Sequence, residues 1–429
     1  MATDRREPED TASAQGAAGE AGAAADRLLI DLLVRPREVV RERVEAVDAA
    51  QWARIVARAS DHRCLPCLDR SLTDTGLGNL APAPTMAALA RRRAGWTRRA
   101  LGVARECARI HHVLATAGIA HLFLKGVPLA LDAYPQPWLR PMRDIDVLVA
   151  PGDAQRAHAL LARESAEGTP GSLPDMAGPR GTKHLSAIRS PAGLLPVEVH
   201  DRLVPSDPRL PTTGPQILAD AAWRDATTVM AGGTALPVPG REVTLVHLII
   251  HGLLDHELNN GPLFAVDLVH WLRCHPPGRA RLDTLAQALQ LEGALSLTAA
   301  LLPDEQAAHL EREAGGAVPA SWPDEAMRLM LQPVRARGEL KLAATLAEAT
   351  LAGRLRMLAR RLARDRETMR NAWVLSGRPL EEAPRSTALL RAWFIAERAR
   401  AVIGARDDTG GEVRQALLSL RRNLRTGAG

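Results

Sequence analysis

The spacing of apolar positions changes twice along the chain. Apolar side chains recur at helical spacing over residues 26–34, 39–59 and 85–117. Short apolar runs, typical of buried strands, then begin at His121. After Val243 nearly all of the chain is again helix-forming. The pattern therefore predicts helical regions on both sides of a central stretch of strands.

Two of the predicted strands carry acidic side chains. Asp144 and Asp146 are separated by one residue, and side chains two apart on a strand point to the same face. Glu198 and His200 have the same spacing on a later apolar strand. Crowded carboxylates suit Mg²⁺ or Mn²⁺, and two such ions about 4 Å apart can clamp both oxygens of a phosphoryl displacement. We predict a catalytic metal site at Asp144, Asp146 and Glu198; the alternative is a pair of solvated strand ends.

A glycine turn lies upstream of the first acidic strand. The chain breaks at Lys125-Gly126, and a helix is predicted to follow, so free backbone N–H groups and a helix N-terminus could hold a nucleotide triphosphate. Lys125 is one of only three lysines among 55 basic residues. Arg140 and Arg143, just before the acidic pair, could bind further phosphate oxygens, and Lys183 could also reach the nucleotide.

These motifs resemble those of the nucleotidyltransferase-fold superfamily and, within it, a bacterial family of uncharacterised nucleotidyltransferases. The resemblance covers roughly residues 85 to 275. It is carried by Lys125-Gly126, Tyr134, Arg140, the strand from Arg143 to Val149, and Glu198-Val199-His200.

The resemblance implies an α+β fold: a small mixed β-sheet of the polymerase-beta-like nucleotidyltransferase type, flanking helices and a largely α-helical C-terminal half. The expected divisions are a disordered N-terminal tail (1–24), a helical region (25–118), the nucleotidyltransferase core (119–235) and a helical C-terminal region (236–429). The implied activity is Mg²⁺- or Mn²⁺-dependent transfer of NMP from an NTP such as ATP to an unidentified small molecule, glycan, peptide or protein. The alternatives are a catalytically quiet nucleotide- or partner-binding module and an enzyme that modifies RNA or DNA ends.

A histidine cluster begins the predicted C-terminal helices. His247 and His251 are four residues apart and would share one helical face, which suits either a zinc site or two hydrogen-bonded core histidines. The resemblance implies instead that this region packs over the core, with His251 and Asp267 facing the cleft. His200, on the strand of Glu198, is a further candidate for a cleft-facing side chain.

Charge is uneven along the chain. Residues 351–429 contain 17 arginines and eight acidic residues, whereas the whole chain has a formal net charge of only +6. An anionic partner at these basic helices is one interpretation, and a solvated helix face is the other. The residues concerned are Arg354, Arg356, Arg360, Arg361 and Arg364.

The remaining composition indicates a bacterial cytosolic protein. The N-terminal residues are too polar and acidic for a signal peptide, and no apolar run is long enough to cross a bilayer. Cys64 and Cys67 form a lone Cys-x-x-Cys pair, for which reduced, buried thiols are the default expectation and a redox or zinc role is the alternative.

Overall fold

The computed structural model describes most of the chain. The described residues are 8–166, 185, 187–189, 194–205, 207–312, 316–333, 337–350, 353, 366, 369–370, 373, 382–404 and 408–426. One compact unit runs to Met327 and includes the last residues from Leu424, and the second is Arg328–Asn423. Among the described residues, no helix has the length and apolar character needed to cross a membrane.

The first part of the chain is helical. The helices are α1 (Pro8–Val34), α2 (Arg41–Glu45), α3 (Ala49–Asp61), α4 (Leu65–Asp74) and α5 (Ala83–Thr116).

Two sequence-based expectations for this region differ from the structure. Residues 8–24, expected to belong to a disordered tail, lie in α1, which fits their richness in alanine, the best helix former. The helix predicted over 39–59 is divided, because Asp48 begins a new helix: its side chain accepts a hydrogen bond from Gln51 N–H while the Gln51 side chain accepts one from Asp48 N–H.

The small sheet has four strands in the order β1-β2-β4-β3. They are β1 (His121–Phe123), β2 (Ile145–Val149), β3 (Ile188–Arg189) and β4 (Pro196–His200). β2 is central: it pairs antiparallel with β1 and parallel with β4. Helices flank this mixed sheet, and the predicted α+β class is confirmed.

A hairpin that the sequence analysis missed completes the core. β5 (Thr227–Ala231) and β6 (Thr234–Val238) are joined by Gly232-Gly233, both of which have positive φ, at 54° and 93°. These angles suit a two-residue type I′ turn, which favours glycine. Val229 and Leu236 pack in the same core cluster as the apolar residues of β2 and β4. β6 also crosses the expected boundary at residue 235.

Helices surround and follow the sheet. They are α6 (Gly126–Pro128), α7 (Ala154–Ala166), α8 (Gly214–Arg224), α9 (Arg241–Ile249), α10 (Leu263–Cys274), α11 (Arg279–Leu289), α12 (Glu292–Ala299), α13 (Asp304–Ala307) and α14 (Trp322–Met330). α6 continues as a π-helical turn over Leu129–Ala133, and α9 does so over Ile250–Asp255. The second unit contains Arg337–Glu348 and Thr387–Gly404.

Candidate active site

The acidic residues come together where β2 and β4 run side by side. The parallel register places Asp146 opposite Glu198, and Leu148 opposite His200. Because residues directly opposite each other on paired strands point to the same side of the sheet, Asp146 and Glu198 lie on the same face. Carboxylate oxygens of these two residues and a ring nitrogen of His200 lie within 4.8 Å of one another. The alternation seen in the sequence thus does bring these three residues together.

Asp146 is the most deeply buried carboxylate of the group, with 3% of its side chain exposed. Its Oδ1 accepts hydrogen bonds from Lys125 Nζ at 2.6 Å and from His200 Nε2, which lies 2.7 Å away. Burial opposes the ionised form, but the nearby Lys125 charge and the bond from His200 hold the pKa of Asp146 well below its usual value. Asp146 is therefore a carboxylate at neutral pH.

Asp144 responds differently to the same surroundings. It precedes the first residue of β2 and is partly exposed. Burial and the negative charge of Asp146 raise the pKa of Asp144 to about 6, although Lys125 acts in the opposite direction. The rise reflects burial first and excess negative charge second, and a cation bound between the carboxylates would offset the excess charge.

Lys125 is brought to Asp146 by the antiparallel pairing of β1 and β2. Leu124 N–H donates to Asp146 C=O at 3.0 Å, so the next residue lies beside the carboxylate. The chain then turns, and Val127 N–H donates to Leu124 C=O at 3.3 Å. Lys125 has φ 50° and ψ −104°, near the first central position of a type II′ turn, where glycine is the usual residue. A charged side chain thus occupies a left-handed backbone position at the site.

Neighbouring carboxylates stabilise the charged form of Lys125. Burial lowers the pKa of an ammonium group, but Asp146, Asp144 and Glu198 together outweigh this and raise the pKa of Lys125. Gly126 follows it, and a Cβ atom there would lie only 2.7 Å from Met142 Cγ. The absence of a side chain at Gly126 therefore allows the Met142 side chain to pack closely against the turn.

Arg140 is held by a buried ion pair with Asp267 on α10. Arg140 Nε and Nη2 donate to the two Asp267 oxygens at 2.7 and 2.8 Å. Tyr134 Oη donates to Asp267 Oδ1 at 2.7 Å. Burial opposes the charge of Arg140, but Asp267 outweighs it and raises the pKa of Arg140. Arg140 and Asp267, both predicted from the sequence, thus bind one another.

Nearly all of the predicted site residues open onto one cavity of about 280 Å³. Its lining includes Lys125, Gly126, Arg140, Arg143, Asp144, Asp146, Glu198, His251 and Asp267. His200 is the exception: expected to face the cleft, it is fully buried behind Asp146, because it lies on β4 beyond Glu198, deeper in the sheet. Lys183 lies outside the described residues. A cavity of this size, with convergent charges, is typical of a small-molecule site.

A family model described as uncharacterised nucleotidyltransferase matches residues 48–304, which is more than half of the chain. The chain belongs to this family. Comparisons with curated proteins and with solved structures find no match. The family and the polymerase-beta-like core suggested by the acidic strands are thereby confirmed.

The donor set of this member of the family fits a divalent cation. Nucleotidyltransferases generally use divalent metals, and the groups that converge here are oxygen donors with one buried imidazole. Asp144, Asp146 and Glu198 provide three carboxylates against the single ammonium of Lys125, which agrees with the raised pKa of Asp144. Hard cations such as Mg²⁺ prefer oxygen ligands of this kind.

A second group of potential metal ligands lies in the helical wall of the cavity. Donor atoms of His251, Asp255 and His256 lie within 4.8 Å of one another, and His251 Nδ1 is 3.3 Å from Asp255 Oδ2. This group excludes His247, which is buried. His247 and His251 still lie side by side, with ring centroids 6.2 Å apart, although the α-helix becomes a π-helical turn at Ile250.

Other residues of the cavity were not predicted from the sequence. Arg63, Asn259 and Asn260 also line it, from the end of α3 and from the loop before α10. Arg63 has φ 60°, and no periodic pattern or motif marks it. Its neighbours, Cys64 and Cys67, are buried free thiols, and burial raises the pKa of Cys67 to about 12 and that of Cys64 well above its usual value.

Proposed function

We propose that the protein transfers a nucleoside monophosphate from an NTP to an acceptor, with the help of Mg²⁺ or Mn²⁺. The observation that carries the proposal is the convergence of Asp144, Asp146, Glu198 and Lys125 on one cavity. Membership of the uncharacterised nucleotidyltransferase family supports the same chemistry.

The three carboxylates would hold the metal. Bound Mg²⁺ or Mn²⁺ would offset charge on the phosphoryl oxygens during the displacement. Asp146 is kept ionised by Lys125 and His200, and His200 fixes its orientation from behind. Glu198, with 21% of its side chain exposed, is accessible to take the proton of an acceptor hydroxyl or amine.

Cationic side chains would hold the triphosphate. Lys125 reaches the cavity from the glycine turn, and Arg143 is exposed beside Asp144. No carboxylate of the described residues lies within ion-pair distance of Arg143, so its guanidinium is available for phosphate oxygens. Arg140, in contrast, is neutralised by Asp267 and is better suited to positioning than to a strong phosphate contact.

The test measures label transfer from each α-³²P-labelled NTP with Mg²⁺ or Mn²⁺, alone and with cell lysate. The wild-type protein is compared with Asp144→Asn/Asp146→Asn and with Asp153→Asn, a matched control beyond the other end of β2. Label on an acceptor with wild type and control, but not with the double variant, is expected. Equal labelling by all three proteins would contradict the proposed site.

The alternative functions predict different results. A quiet binding module would bind NTP in calorimetry without releasing pyrophosphate. An RNA-modifying enzyme would require RNA and lose affinity as salt is raised. The arginines proposed for an anionic partner, Arg354 to Arg364, lie outside the described residues, so the acceptor is best identified by the labelling experiment itself.

A further inference from the structure

Arg63 occupies a backbone position that normally belongs to glycine. Helix α3 ends in a Schellman motif: Cys64 N–H donates to Ala59 C=O at 2.6 Å, and Arg63 N–H donates to Ser60 C=O at 3.0 Å. The residue between helix cap and Cys64 must be left-handed, and Arg63 has φ 60°. A side chain costs about 1–2 kcal/mol in this conformation relative to glycine.

The surrounding structure holds this corner in place. Next to Arg63, His62 is 3% exposed and packs against Gly261: a Cβ atom on Gly261 would lie 2.9 Å from His62 Nδ1. Cys64 is fully buried and its thiol donates to His62 C=O at 3.4 Å. Because both neighbours are buried, Arg63 cannot escape its strained conformation by a small local shift.

Arg63 lines the cavity and has no ion-pair partner among the described residues. It lines the cavity together with Lys125, Asp144 and Asp146. Among the described residues, no carboxylate lies within ion-pair distance of its guanidinium, whereas the Arg140 guanidinium has both Asp267 oxygens. A strained arginine without an ion pair in the described part of the chain is available to bind an anion.

Resting on the proposed function, we propose that Arg63 is a substrate-binding residue that contacts the phosphate oxygens of the NTP. A guanidinium presents planar donors that match two phosphate oxygens at once. The NTP is the anion that must enter this cavity beside Asp144 and Asp146, and Arg63 would offset its charge from the wall formed by α3. In this role, Arg63 adds a residue from the N-terminal helical region to a nucleotide site that is otherwise built around the strands.

Arg63→Gly tests the proposal directly, because glycine relieves the backbone strain and at the same time removes the guanidinium. Arg63→Gly should unfold at the same temperature as wild type or higher. Its affinity for inorganic tripolyphosphate and for ATP, GTP, CTP and UTP with Mg²⁺, measured by calorimetry, should fall about 10- to 100-fold for each ligand that wild type binds. Arg63→Lys, which keeps the charge without the planar donors, should lie between the two.

Gln290 provides the matched control. It ends α11 with φ 54° in the same kind of turn, is exposed and does not line the cavity. Gln290→Gly should also keep or raise the unfolding temperature, but it should leave tripolyphosphate affinity unchanged.

The outcomes separate this role from the proposed reaction. Unchanged tripolyphosphate and NTP affinity in Arg63→Gly, or no tripolyphosphate binding by wild type, would overturn the phosphate contact. Loss of transfer to acceptor with NTP binding intact would also overturn it and assign Arg63 to the acceptor. If wild type binds tripolyphosphate through Arg63 but transfers no label, only the proposed reaction fails.

Discussion

The ion pair between Arg140 and Asp267 should be a main structural support of the cavity, and Asp267→Asn removes its negative charge. Only 6% of the Asp267 side chain and 15% of the Arg140 side chain are exposed. The Asp267 carboxylate accepts two bonds from Arg140, at 2.7 and 2.8 Å, and one from Tyr134 at 2.7 Å. Asparagine has almost the same shape but one acceptor oxygen, so its NH₂ group would face a donor of a charged arginine.

The cost follows from this geometry. Removing one partner of a buried ion pair destabilises a protein by about 3–5 kcal/mol. One oxygen remains in asparagine and the guanidinium keeps some solvent, so we expect the lower end, about 3 kcal/mol. The free energy of unfolding, from urea titration followed by circular dichroism, measures it directly.

An exposed ion pair serves as the control. Arg27 Nη2 and Asp324 Oδ1 are 3.0 Å apart, but both side chains are about half exposed, at 53% and 51%. Asp324→Asn should therefore cost no more than about 1 kcal/mol. Replacing both buried partners, as Arg140→Met with Asp267→Leu, should recover much of the stability lost in Asp267→Asn, because no unpaired charge remains. Equal stability of Asp267→Asn and Asp324→Asn would refute the argument.

Four further predictions concern charge at the site and the accessibility of the thiols. The folded pKa of Asp144, about 6, lies above its usual 3.8. The metal-free protein should therefore gain stability, by at most about 3 kcal/mol, as pH falls from about 6 to about 4. Urea titrations in EDTA should show this gain, and Asp144→Asn should abolish it. Mn²⁺ affinity in calorimetry should fall over the same range. Lys125→Met should lower the free energy of unfolding in EDTA by about 2–3 kcal/mol because its carboxylate partner loses a cation, and Lys125→Gly should lose less because it relieves strain. Cys274 is exposed and should react with a thiol reagent in the native protein, whereas Cys64 and Cys67 should react only after unfolding; fast native labelling of either would revive the redox interpretation.

The acidic strands were predictable because strand periodicity is a local property. An Asp-x-Asp pair inside an apolar run fixes which side chains share a face, and the same holds for Glu198 and His200. Once β2 and β4 pair in the observed parallel register, Asp146 lies opposite Glu198. The hairpin at Gly232-Gly233 had an equally local signal, a glycine pair between two apolar runs, and could have been predicted.

The cationic side of the cavity was harder to derive, because it depends on contacts between distant segments. Arg140 was predicted to bind phosphate and Asp267 to face the cleft, yet nothing local indicates that they pair across 127 positions. The same limit applies to Lys125, whose bond to Asp146 follows from sheet pairing, and to Arg63, which enters from a helix outside the strands. Burial is also hard to predict from the sequence. The period of the strand gives the face on which His200 lies, but not how deeply the side chain is buried.

Left-handed residues other than glycine concentrate around this cavity. In the described part of the chain they are Arg63, Lys125, Glu257, Leu258 and Gln290. Arg63 and Lys125 line the cavity, while Glu257 and Leu258 lie in the loop between His256 and Asn259, which also line it. Gln290 alone is elsewhere.

Each such residue costs about 1–2 kcal/mol relative to glycine, so four of them represent a large fraction of the stability of an ordinary domain. At Glu257 and Leu258 burial offsets the cost, since their side chains are 3% and 0% exposed and Glu257 lies 3.7 Å from Arg209. Lys125 gains its bond to Asp146. Arg63 has no comparable gain among the described residues, and the proposed phosphate contact would account for an arginine where glycine would be more stable.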